Sequence, residues 1–144
     1  MPRKVNRREF VKSSFVAPAA IAAAPTMLIP SEVKPVVISD VSGIRFKNGG
    51  PMSSVEMAFY RMTQGDRVID AVVAGVQIPE NDPEESGIGY GGLPNADGVV
   101  QLDSCCMDGP TKRAGGVAAI EGVRTPSVVA KAVMENTDHH LLVG

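Results

Sequence analysis

Tryptophan is absent from the 144 residues, and aromatics amount to only 4%. That excludes a carbohydrate platform of stacked rings. No strong excess of one charge is present: the formal net charge is −2, which leaves no electrostatic case for nucleic acid. Cysteine is scarce. The two thiols, Cys105 and Cys106, are adjacent; neighbours on a strand point to opposite faces, which disfavours a bridge between them, and their spacing is not that of a zinc site. A membrane-spanning run is missing as well. The longest small apolar stretch, Phe15 to Ala24, is too short and is interrupted by Pro18. What is present is a 44% hydrophobic share over a length that suits one domain with a real core.

The first residues differ sharply from the rest. Arg3, Lys4, Arg7, Arg8 and Lys12 make a basic head, followed by the apolar stretch and Ala22-Ala23-Ala24. This is the layout of an export signal rather than a core helix. Asn6-Arg7-Arg8-Glu9-Phe10-Val11-Lys12 resembles the twin-arginine signal, so Arg7 and Arg8 are the expected export pair. The reading divides the chain into residues 1–24 as signal, 25–35 as linker and 36–144 as the mature domain. It implies the twin-arginine export machinery as a partner and a periplasmic or extracellular location. Cleavage is expected near Ala22–Ala24.

Beyond the linker, Val36-Val37-Ile38-Ser39 reads as a short buried strand. Ser53 and Glu56 match a capping box before a helix whose apolar face is Val55, Ala58, Phe59 and Met62. Gln64-Gly65 ends it, and Asp66 is placed to cap a second helix with Ile69, Val72, Val73 and Val76 inside and Pro79 as its stop. Glu80 to Glu85 reads as an acidic loop whose charges sit in water. Ala114 to Val123 reads as a strand. Thr125-Pro126 opens a helix with a capping Thr, Val129, Ala132 and Val133 as its inner face and Lys131–Glu135 paired outside. His139 to Gly144 is strand-like. The order predicts an α/β fold with helices packed on a mixed sheet.

The densest block is Gly87 to Gly109, GIGYGGLPNADGVVQLDSCCMDG. Gly87, Gly89, Gly91 and Gly92 crowd around Ile88 and Tyr90, which suits positive φ or close backbone approach. No Lys-Ser/Thr follows, so this is not a phosphate-binding fingerprint. Leu93-Pro94-Asn95-Ala96-Asp97-Gly98 reads as a turn, with Pro fixing φ and Asp-Gly favouring a tight reversal between two strands of a hairpin. Val99 to Cys105 is the second strand, with Val100, Leu102, Ser104 and Cys106 on one face and Asp103 and Cys105 on the other. Asp108-Gly109-Pro110-Thr111 is a further turn.

Asp70, Asp103 and Asp108 are the acids nearest apolar segments, but spacing does not show that any two converge; a hydrogen-bonded structural carboxylate is the plain alternative. His139 and His140 diverge on a strand and do not suit one metal ion. Cys105 or Cys106 as a nucleophile lacks a Cys-His signature. Residue chemistry alone yields no catalytic constellation.

Gly89-Tyr90-Gly91-Gly92-Leu93-Pro94-Asn95, then Asp97-Gly98, Leu102-Asp103 and Met107-Asp108-Gly109, resembles the glycosylasparaginase family of N-terminal-nucleophile amidohydrolases, kin to plant-type asparaginases. The likeness continues in order through Ile69-Asp70-Ala71-Val72, Arg113-Ala114-Gly115, Val133-Met134-Glu135 and Leu141-Leu142-Val143-Gly144, covering about 36–144. It implies an αββα sandwich with a mixed or antiparallel sheet. It implies a precursor that cuts itself before a Thr, whose freed amino group serves as base for its own hydroxyl. The substrate class is (glycosyl)asparagine, hydrolysed to aspartate, with no metal or organic cofactor in the chemistry. The structural sodium site that plant-type relatives carry in the loop matching Gly87–Gly92 is not carried over. Gly89, Tyr90, Gly91, Gly92, Asp103, Asp108 and Gly109 are then structural motif residues rather than catalytic ones. No Asp-Thr dipeptide occurs in the sequence. Asp40-Val41 stands where the family has a Trp, Gly65-Asp66 replaces a Gly-Gly pair, and Val73 replaces a Glu. The resemblance therefore predicts the amino-terminal part of a longer exported hydrolase, inert alone and a homo-oligomer when complete. The alternative is a short exported binding module or a decayed enzyme.

Overall fold

A computed structural model describes residues 34–144. The export pair Arg7 and Arg8, and the signal and most of the linker, lie outside the described residues.

A four-residue helix α1, Ser42–Arg45, leads to α2, Ser54–Thr63, and α3, Val68–Asn81. A single 3-10 turn spans Gly89–Gly91. Strand β1, Leu102–Asp108, turns back into β2, Arg113–Ile120; helix α4, Pro126–Asn136, then crosses to β3, Leu141–Val143. β1 and β2 are antiparallel, and β2 and β3 are parallel. The sheet is therefore mixed, in the order β1-β2-β3.

Local chemistry accounts for these elements. The Ser53 hydroxyl accepts from Glu56 N while the Glu56 carboxylate accepts from Ser53 N at 2.7 Å, so the expected capping box starts α2. α3 buries Ile69, Ala71 and Val73. Leu102, Cys106 and Asp108 alternate inward along β1, and Asp103, Cys105 and Met107 face out. Leu102, Val117, Ile120, Ala130 and Val133 form one core cluster; Ile69, Val73 and Met134 form a second, and Cys106 packs against both. At Gly115 a Cβ would lie 2.4 Å from Ala130 O, so only glycine lets β2 press this closely on α4.

Several expectations fail for identifiable reasons. Val36 to Ser39 forms no strand, and Val36 and Ile38 are 77% and 90% exposed. An extended segment becomes a strand only when a neighbour takes its hydrogen bonds, and none does so among the described residues. The Asn95–Gly98 turn exists, with Gly98 N donating to Asn95 O at 3.0 Å, but glycine conformations on its amino side give a 3-10 turn instead of a strand. The hairpin belongs to the next turn, 109–112. Asp66 does not cap α3; it pairs with Arg61. Pro79 does not stop α3, because proline removes its own N–H and not those that follow it. Thr125 makes no side-chain cap on α4. The inner face of α4 is Ala130, Val133 and Met134, whereas Ala132 is exposed.

Candidate functional site

The acidic stretch after α3 is not a solvated loop. Glu80, Asp82 and Glu85 are 2%, 8% and 6% exposed. The Glu80 carboxylate accepts from Ser127 N at 2.9 Å and from the Ser127 hydroxyl at 2.7 Å. It caps α4 from another helix, replacing the Thr125 cap and setting carboxyl oxygens as acceptors at the positive end of the helix. Burial pushes its pKa upward, against the two Ser127 bonds, which pull it down. Asp82 accepts from Asn48 N at 2.9 Å and from Glu84 N at 3.0 Å, tying together two loops 34 residues apart. Glu85 accepts from Gly87 N at 2.7 Å.

These carboxylates shape the glycine loop. Gly89 has φ +61°, and a Cβ there would fall 2.1 Å from Glu80 O, so the loop lies directly on the last turn of α3. Gly91 and Gly92 complete the turn, with Gly92 N donating to Gly89 O at 3.1 Å. Tyr90 points outward. Arg124 lies over its ring, 4.2 Å from the centroid, beside a cleft of about 290 Å³.

Asp70 and Asp108 converge on one cation. Arg67 lies 3.8 Å from Asp70, 3.5 Å from Asp108 and 3.1 Å from Glu135; Lys131 lies 2.8 Å from Asp70 and 3.1 Å from Glu135. The network joins α3, α4 and the β1–β2 turn. The Lys131 hydrogen bond holds the Asp70 carboxyl below its ordinary value, and the Glu135 bond raises Arg67. Asp108 also accepts from the Thr111 hydroxyl at 2.6 Å, and Gly109 O receives Lys112 N. Asp103 stands apart from this network. Its carboxylate accepts from Ala119 N at 2.7 Å. Ala119 has φ 51° and sits at the irregularity where Leu102 pairs with Ile120 but Ser104 pairs with Val117. Asp103 thus satisfies the donor that this bulge frees.

The remaining candidates stay separate. Cys105 is exposed; the Cys106 thiol lies 4.0 Å from Met134 Sδ, and burial raises its pKa, which suits a core thiol rather than a nucleophile. His139 and His140 are both exposed, and His140 Nδ1 lies 3.4 Å from Ala114 O. A groove of about 310 Å³ is edged by Arg61, Asp66, Asp70 and Lys131, whose charges pair with one another. Among the described residues no cluster of His, Cys, Asp and Glu is set up to hold a metal. The acids that do converge are engaged in structural bonds. The signal for Glu80 exists only if α3 runs past Pro79: positions 69, 73, 76 and 80 then share one face, whereas a stop at Pro79 hides it. Arg67 gave no comparable signal.

The molecule is thus an α/β layer in which buried carboxylates fix a glycine loop and ion pairs lock the helices to a hairpin. A model of the asparaginase family matches residues 46–144, and the chain belongs to that family. It is 42% identical over 147 residues to an N(4)-(beta-N-acetylglucosaminyl)-L-asparaginase of Elizabethkingia miricola, covering 96% of this chain and 41% of that protein. It is 42% identical over 80 residues to an isoaspartyl peptidase/L-asparaginase of Rattus norvegicus, covering 56% and 24%. A plant-type L-asparaginase of Pyrobaculum calidifontis is 48% identical over 79 residues, covering 53% and 25%. The chain spans about two-fifths or less of the length of these relatives.

Proposed function

We propose that residues 36–144 are the amino-terminal layer of an exported amidohydrolase. The whole protein hydrolyses the side-chain amide of asparagine carrying an N-linked sugar, giving aspartate and the glycosylamine, and folds as an αββα sandwich. The nucleophile is a Thr in the part of the polypeptide that these residues do not contain, so the chain alone is inactive. The observation that carries this reading is the 42% identity across 96% of the chain to a relative whose name specifies that substrate, of which the chain spans only 41%. The role of the described residues is to hold the loop and hairpin that line the completed site. Chemistry in the mature enzyme requires no cofactor, and the complete protein is a homo-oligomer.

The test is aspartate release from N4-(β-N-acetylglucosaminyl)-L-asparagine. The chain alone should give none. The chain co-expressed with the part of the Elizabethkingia miricola relative outside the matched span should give a measurable rate. Turnover by the chain alone would overturn the assignment of the nucleophile. Export is a separate limb of the proposal and rests on Arg7 and Arg8. Residues 1–35 fused to a folded reporter should carry it across the bacterial inner membrane, and Arg7→Lys together with Arg8→Lys should leave it in the cytoplasm.

A further inference from the structure

The sequence holds a single Asn-Gly dipeptide, Asn48-Gly49. It lies in the loop between α1 and α2, where Lys47, Asn48, Gly49 and Gly50 are all exposed. Gly50 N donates to Lys47 O at 2.8 Å, which closes a tight turn. Both central residues have positive φ, 46° at Asn48 and 71° at Gly49, a turn that suits Asn followed by Gly. Among the described residues no acceptor takes the Gly49 N–H. A Cβ added at Gly49 would meet nothing within 4 Å, so that side of the turn is open. The turn is also tied to a distant part of the chain. Asn48 N donates to Asp82 Oδ2 at 2.9 Å, and Asp82 is buried. Asp82 O accepts from Glu85 N at 3.2 Å, and the Glu85 carboxylate accepts from Gly87 N at 2.7 Å. A chain of bonds therefore runs from Asn48 to the start of the glycine loop.

The side-chain carbonyl carbon of an asparagine is an electrophile, and the next backbone nitrogen is the nucleophile nearest to it. Glycine in the next position hinders that attack least. It has no Cβ to shield its nitrogen, and its backbone can swing the nitrogen towards the side chain. We propose that Asn48-Gly49 is a self-modification site, at which Asn48 loses ammonia to become aspartate or isoaspartate, and that the conversion loosens the glycine loop through Asp82. Gly49 N gives its proton to hydroxide and attacks Asn48 Cγ. The N–Cγ bond forms, the Cγ–Nδ2 bond breaks, and the departing nitrogen takes a proton from water and leaves as ammonia. The product is a cyclic imide with two carbonyl carbons. Water adding at Cγ breaks its bond to Gly49 N and gives aspartate. Water adding at the backbone carbonyl carbon breaks that bond and gives isoaspartate. One water is consumed, one ammonia is released and nothing is oxidised or reduced. Either product puts a new carboxylate on the residue whose N–H Asp82 holds, and like charges repel. In isoaspartate the main chain also gains a methylene, so the Lys47–Gly50 hydrogen bond no longer closes the same turn.

The test incubates the purified full chain at mildly alkaline pH for days and follows the peptides by mass spectrometry, with isoaspartyl methyltransferase labelling to identify isoaspartate. The peptide containing Asn48 should gain about 1 Da and take the label, at a rate within about tenfold of that of the chain unfolded in urea. Asn48→Gln, which would have to close a larger ring, and Gly49→Ala should both suppress the reaction. Conversion of Asn48 only in the unfolded chain, or conversion at Asn95 or Asn136 ahead of Asn48, would overturn the assignment of the site. The converted protein carries an extra negative charge and can be separated by anion exchange. Its Asn48, Glu85 and Gly87 amides should exchange with solvent at least about tenfold faster than before, while those within α4 keep their rates. Unchanged exchange at Glu85 and Gly87 in the converted protein would overturn the link to the glycine loop.

Discussion

Glu80 and Gly89 meet where the last turn of α3 touches the glycine loop, and each supports a distinct prediction. Glu80 has a folded-state pKa raised from its ordinary 4.5, chiefly by burial. The folded protein therefore holds that proton more tightly than the unfolded chain. The associated stability is fully present below the unfolded pKa and is lost as pH rises through the folded value. Glu80→Gln retains an acceptor for Ser127 N and does not ionise. Urea unfolding from pH 4 to 7 should show the wild type losing stability relative to this variant as pH rises; a difference independent of pH would contradict the burial argument. Gly89 has φ +61° and no room for a Cβ. Gly89→Ala should destabilise by about 2–4 kcal/mol in the same assay, from left-handed strain and overlap with backbone. The crowding of glycines made the close approach legible in the sequence. What Gly89 approaches is not, because a proline is an ordinary helix stop and a helix stopped at Pro79 ends one residue before Glu80.

The elements are held by bonds between distant parts of the chain. α4 begins at a carboxylate 47 residues earlier, and no local pattern around Thr125-Pro126 reveals that. By contrast the capping box of α2 lies within four residues, and the inward face of β1 follows a simple alternation; both were legible for that reason. The Val36–Ser39 stretch carried the apolar pattern of a strand yet forms none, since a pattern supplies side chains but not a partner's hydrogen bonds. Lys131 joins α4 to α3 through Asp70 and braces its own helix through Glu135. Lys131→Met should lower stability by about 1 kcal/mol or less, and the difference should shrink at high salt. The Asp70 carboxyl, held below its ordinary 3.8 mainly by Lys131, contributes stability above its unfolded value, and that contribution disappears as pH falls through the folded one. The wild-type advantage over Lys131→Met should therefore vanish in acid, in the opposite sense to the Glu80 effect.

At the scale of the whole molecule, the described residues provide a helix layer, a three-stranded mixed sheet and one ordered loop. The motifs from Gly89 to Gly109, taken in order, pointed to the family that the comparison with residues 46–144 then gave. The chemistry was not legible in the acids of this chain because those acids are structural: Asp103 serves a bulge, Asp108 a turn, and Asp70 an ion network. The central claim is that this layer is equivalent to the matched span of a glycosylasparaginase. The most direct measurement replaces that span of the Elizabethkingia miricola relative with residues 36–144 and follows the purified chimera by intact mass and aspartate release. The account predicts self-cleavage before a Thr and hydrolysis of N4-(β-N-acetylglucosaminyl)-L-asparagine. A soluble, cooperatively melting chimera that stays uncut and releases no aspartate would contradict it.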